Sequence, residues 1–139
     1  MAALREFVFS LSETYVFLED GGGAPRIAIS DAFWKDLMSG APRSPEARLV
    51  AGGDGWLAAL YSITHDGAWE MHPRGQELLV MISGTMDVVF EIDGREESHT
   101  LPAGQALIVP QGIWHRQRVR TAGSFLAATY GKGTQHRLL

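Results

Sequence analysis

Sixteen glycines and six prolines cut this chain at short intervals. The apolar runs between them, rich in Val, Ile, Leu and Phe, are too short for a helical bundle. They have the length and spacing of many short antiparallel strands, which pack as a sandwich or close as a barrel. The pattern predicts strands near Tyr15–Leu18, Arg26–Ile29, Arg48–Ala51, Leu57–Ile63, Trp69–His72 and Glu77–Ser83. Further strands are expected near Met86–Ile92, Ser98–Leu101, Ala106–Val109, His115–Val119 and Phe125–Thr129. The clearest hairpin is centred on Asp93-Gly94, a dipeptide that accepts the two positive φ angles of a type I′ turn. Before it Met86, Val88, Phe90 and Ile92 alternate with a mixed face, as in a strand with one face on a core. One short helix is expected. Ser30 or Asp31 caps it, Phe33, Trp34, Leu37 and Met38 recur at helical spacing, and Gly40 and Pro42 stop it before a loop over Gly40–Pro45.

With 139 residues the chain has the length of one domain. The expected division is an N-terminal segment, residues 1–51, packing on a barrel or on a partner, and a barrel core over residues 56–130. There is no cysteine, which excludes disulfides, zinc–thiolate sites and cysteine nucleophiles. The formal charge is −4, and the only local basic cluster is Arg116, Arg118 and Arg120. Nucleic acid is therefore not an expected partner. No apolar run approaches a membrane span. Met1 to Phe9 carries Arg5 and Glu6 and does not read as a signal peptide, so the expected location is the cytoplasm.

Five histidines are present. His65, His99 and His136 stand beside turns or polar residues and read as solvated imidazoles. His72 and His115 have patterned neighbours. Glu70 and His72 are two apart on a strand and so share a face. Pro73 to Gln76 form a turn, and a hairpin of this shape brings Glu77 beside them. Imidazoles and carboxylates gathered in this way suit Fe(II), Mn, Ni or Zn. In the strand after His115, Arg116, Arg118 and Arg120 must face water, which turns His115 inward with Gln117 and Val119. Leu79, Met81, Ser83 and Gln117 are the expected pocket walls by the same parity. The aromatic residues Trp56, Trp69, Trp114, Phe90 and Phe125 read as core or interface rather than as a substrate cage.

These residues resemble the two motifs of the cupin family. The first motif is G-x5-H-x-H-x3–4-E-x6-G. Here Glu70, His72, Glu77 and Gly84 hold its later positions, Thr64 stands at the opening glycine and Gly67 is a displaced candidate. The second is G-x5-P-x-G-x2-H-x3-N. Gly104, Pro110, Gly112 and His115 match it, with Val119 at the Asn position. With glycine at about 7% and proline at about 5% of residues, four such matches arise by chance on the order of 10⁻⁵ per start point. The resemblance implies an all-β, double-stranded β-helix or jelly-roll barrel with one short helix in the N-terminal segment. It implies one divalent metal ion held by His72, Glu77 and His115. Glu70 replaces the first motif histidine. It is open as a fourth ligand, as an acid/base group beside a three-ligand metal, or as a residue without a role.

The function expected from this reading is a small metal-dependent enzyme of dioxygenase, isomerase or decarboxylase type, acting on a small oxygen-bearing substrate, with Glu70 as the catalytic base if it is free. The alternatives are a metal- or small-ligand-binding module without turnover and a metal-free interaction barrel. A homodimer is also expected. Phe7, Phe9, Leu11, Tyr15, Phe17 and Phe33 exceed what the outside of one small barrel needs, and N-terminal strands can add to or cover a partner's sheet.

Overall fold

A computed structural model describes residues 6–137; Met1–Arg5 of the expected N-terminal run lie outside them. The described chain is an all-β jelly-roll barrel with two short helices. Its strands are β1 (Thr14–Glu19), β2 (Arg26–Ala28), β3 (Gly55–Ile63), β4 (Trp69–Met71), β5 (Glu77–Ile92), β6 (Arg95–Pro102), β7 (Ala106–Val109), β8 (Trp114–Thr129) and β9 (Gln135–Arg137). The helices are α1 (Asp31–Leu37) and α2 (Pro45–Gly52).

The backbone of the barrel is a long antiparallel ribbon of β5 and β8. Its register runs from Glu77 opposite Thr129 to Glu91 opposite Trp114, with irregularities between Met81 and Met86. The four separate strands expected here are thus two bent ones. Gly84 and Gly123 make the bend. Gly84 has φ +76°, and a Cβ there would lie 2.5 Å from the Thr121 carbonyl oxygen. A Cβ on Gly123 would lie 2.0 Å from the Ser83 carbonyl oxygen. Only glycine lets the two backbones approach so closely. On one side of the bend β8 pairs with β3; on the other Glu70 of β4 lies opposite His115. The bend carries the two ends of the ribbon back toward each other. β6 and β7 pair with β5, and the Asp93-Gly94 turn has the expected positive φ at both residues (52° and 74°).

Two apolar clusters form. Leu79, Met81, Met86, Val88, Phe90 and Phe125 lead the one inside the barrel. Tyr15, Phe17, Ile27, Phe33, Val50 and Leu57 lead the other, under the N-terminal segment. Tyr61 touches both. β1 pairs with β3 of the same chain, and β2 with β1. Much of the apolar surplus expected to face a partner is therefore buried within the chain.

Arg48–Ala51 is helical, not a strand. The Leu49-Val50-Ala51 run resembles a strand, but Ser44 caps a helix through its hydroxyl, which accepts from Ala47 N at 3.1 Å, and Pro45 opens the first turn. Ala47 and Val50, three apart, are the buried face. The helix expected after Ser30 forms, with the Ser30 hydroxyl accepting from Phe33 N. No helix among the described residues is long and apolar enough to cross a membrane.

Candidate metal centre

Three short segments bring Glu70, His72, Glu77 and His115 together. Glu70 lies in β4, His72 follows it at the start of the turn, Glu77 opens β5 and His115 lies at the start of β8. The Gly112 amide donates to the His72 carbonyl at 2.9 Å, which ties the turn before β8 to the first pair of residues. One ligand atom from each of the four side chains lies within 4.8 Å of every other.

The pairwise distances are short. His115 Nε2 is 3.2 Å from Glu77 Oε1, and His72 Nε2 is 3.4 Å from Glu77 Oε2. Glu70 Oε1 stands 3.9 Å from His72 Nε2 and 3.8 Å from His115 Nε2. Two donors about 2.1 Å from one ion are about 3.0 Å apart at a right angle and about 3.4 Å at the tetrahedral angle. Glu77 stands at that spacing from both histidines, and Glu70 stands wider. His72, Glu77 and His115 are buried, whereas the Glu70 side chain is 26% exposed.

The outer ring nitrogens fix how the imidazoles point. His115 Nδ1 donates to the Ile113 carbonyl at 3.0 Å. The Thr134 hydroxyl donates to the Gly131 carbonyl at 2.7 Å, so its oxygen accepts from His72 Nδ1 at 2.8 Å. Each neutral ring then turns a bare Nε2 inward. His72 Nε2, His115 Nε2 and Glu77 Oε1 are buried polar atoms without a hydrogen-bond partner. Such atoms are costly unless a cation or a proton satisfies them. A divalent ion fits this donor set. In its absence a proton on His115 is the substitute. Burial alone would lower the His115 pKa, but the Glu77 carboxylate outweighs it and raises the pKa above the ordinary 6.5. Burial likewise pushes the Glu77 carboxyl up, and the His115 and His72 imidazoles overcome it, holding the pKa at about 2. Thr129, opposite Glu77 in the ribbon, donates its hydroxyl to Glu77 Oε2.

His136 stands beside the centre, against the expectation from its sequence neighbours. It is not a bulk-solvated imidazole: its Nε2 is 3.2 Å from Glu70 Oε2, at the mouth of the centre. β9, which carries it, is a three-residue polar strand with no apolar alternation to betray it. Of the expected pocket walls, Gln117 lines the cavity. Leu79 and Met81 do not: they are fully buried in the barrel cluster. Ser83 lies at the bend, hydrogen-bonded to Ser124. The ribbon turns after Met81, so the parity of Glu77 does not carry on through Ser83. Neither Trp56, Trp69 nor Trp114 faces the cavity, whereas Trp34 of α1 does.

Comparison with known families bears directly on these segments. A cupin domain model matches residues 61–128, which include all four side chains. The chain belongs to the cupin superfamily. A cupin-2 domain containing protein from Shewanella frigidimarina shares 20% identity with this cupin at a TM-score of 0.48, over 54% of this chain and 70% of its own. Oxalate decarboxylase from Bacillus subtilis shares 20% identity at a TM-score of 0.52, over 60% of this chain and 24% of its own. Peruvianin-I, a cysteine peptidase from Thevetia peruviana latex, shares 19% identity at a TM-score of 0.51, over 61% of this chain and 56% of its own. At such identities the likeness is one of fold, and activities this different show that the fold selects none of them. No curated protein matches this cupin by sequence.

Proposed function

We propose that this cupin is a small metal-dependent enzyme acting on a small oxygen-bearing substrate, its reaction being of dioxygenase, isomerase or decarboxylase type. The observation that carries the reading is the convergence of three buried, partnerless donor atoms, His72 Nε2, His115 Nε2 and Glu77 Oε1. His72, Glu77 and His115 would hold one Fe, Mn, Ni or Zn ion, with Glu70 Oε1 as the fourth donor. Manganese is the metal of the Bacillus subtilis oxalate decarboxylase and is one candidate here. When bound, the ion supplies Lewis acidity or, for a redox metal, access to dioxygen chemistry.

The protein's own groups have distinct tasks. Ile113 and Thr134 hold the two imidazoles in the ligating tautomer. Glu77, buried and anchored by Thr129, supplies fixed negative charge. Glu70 faces the open cavity with one oxygen toward the other donors and the other on His136. It is placed to accept a proton from a substrate if it is not ligated.

Elemental analysis of protein purified without added metal or chelator tests the reading. About one transition-metal ion per chain is expected, lost in His115→Ala; stoichiometric metal retained in that variant would refute the ligand assignment. Glu70→Ala then separates its two roles. Lost metal marks a ligand, and retained metal with lost turnover of small carbonyl or phenolic compounds marks a base.

A further inference from the structure

The cavity above the centre has a volume of about 580 Å³, within the range of small-molecule sites. Its walls are mostly apolar. Trp34, Leu37 and Val50 come from the two N-terminal helices, and Leu57, Tyr61 and Phe125 from the barrel. Among the described residues no lysine or arginine lines it. The arginines next in sequence to the centre are engaged elsewhere. Arg116 lies over Trp69 and 4.0 Å from Asp66. Arg137 lies over Trp69 and Trp114 and donates to Glu91 at 3.1 Å.

The charge of the centre points the same way. In the motif this chain resembles, the position of Glu70 is a histidine, so the centre has a single carboxylate. Here Glu70 and Glu77 together offset a divalent ion completely. An incoming carboxylate or phosphate would meet a centre without net positive charge and no guanidinium fork, the usual partner of such groups. An anion buried without a counter-charge loses its hydration uncompensated. The rim histidines do not alter this. His65 Nδ1 is hydrogen-bonded to the Thr64 hydroxyl at 2.8 Å, and the His136 ring is occupied by Glu70.

We infer that the pocket selects neutral, largely apolar molecules with an alcohol, phenol or carbonyl oxygen and rejects carboxylates and phosphates, which narrows the proposed reaction to the dioxygenase or isomerase type. The inference rests on the metal reading for the oxygen function, while the walls and the two glutamates carry the charge selectivity.

Calorimetric titration at pH 8 of manganese-loaded and metal-free protein tests it, with acetophenone, benzoate and malonate as probes. Acetophenone and benzoate share a ring and differ in charge. Acetophenone is expected to bind both forms at least about tenfold more tightly than benzoate, and malonate more weakly still. Met38→Lys adds a cation at a rim position that is 54% exposed, where folding is not at risk. It should narrow the preference several-fold by strengthening benzoate binding. Equal or tighter binding of benzoate or malonate by the parent protein overturns the inference, as does failure of all three probes to bind. An unchanged benzoate affinity in Met38→Lys overturns the charge argument. Protein that takes up none of manganese, iron, nickel and zinc yet prefers acetophenone would sink the metal reading and leave the pocket's selectivity standing. Protein that holds manganese but prefers the anions would do the reverse.

Discussion

Thr134 has the clearest single-residue role outside the four converging side chains. Its hydroxyl has spent its proton on Gly131, so it can only accept from His72, which aims the bare Nε2 inward. Thr134→Val keeps the shape and removes the acceptor. Metal affinity, measured by competition with a chromophoric chelator, should fall about 10- to 100-fold. Thr134→Ser should restore it; an unchanged affinity in the valine variant would remove Thr134 from the site. Protonation gives a second expectation. Glu77, held at about 2 against an ordinary 4.5, stabilises the metal-free fold above about pH 4.5, and this is lost as pH falls toward 2. His115, raised above 6.5, stabilises it below that pH, and this is lost as pH rises through the raised value. Metal-free protein should thus be most stable between these limits. Metal competes with the His115 proton, so loaded protein should gain stability where metal-free protein loses it. Melting temperatures of the two forms across pH 4 to 9 check this, and parallel curves would contradict it.

At the level of elements, the bend in the β5–β8 ribbon matters most. Gly84→Ala combines a left-handed φ with a Cβ 2.5 Å from a backbone oxygen. Gly94→Ala meets a similar φ, +74°, in open space. The second should cost about 1–2 kcal/mol. The first should cost at least about 1 kcal/mol more, because backbone must move. Denaturant titration compares them; equal losses would mean that the corner tolerates a side chain. The same bend explains how far the sequence could be read. Gly84 was visible at its motif position, but its spacing suggested a break between two strands rather than a corner within one. The hairpin at Asp93-Gly94 and the parity of Glu70 with His72 were legible because each is set by neighbours two residues away. α2 was misread because three apolar residues carry a strand pattern and its cap lies outside them, at Ser44. His136 was illegible because a polar three-residue strand takes its place from β4, not from its own periodicity.

At the scale of the molecule, the expected homodimer now rests on less surface. Tyr15, Phe17 and Phe33 are buried in the chain's own second cluster, and Phe9 lies under Arg26. Phe7 and Val8 remain 86% and 92% exposed, adjacent apolar residues suited to contact with a second copy. Sedimentation at micromolar concentration should give twice the chain mass, and Phe7→Ser should shift it toward the monomer. A monomer mass for the parent chain would dispose of the dimer. The ribbon also has a consequence in time. Glu77 and Thr129, or Phe90 and His115, meet only after long loops have closed, and contacts of such separation form late and slowly. The donors can therefore gather around an ion only once the corner is made. A bound ion should then act as a latch rather than a template: it should lengthen the lifetime of the folded barrel and leave its rate of formation nearly unchanged. Stopped-flow folding and unfolding with and without metal would show this, and a folding rate that rises with metal would reverse the order of events.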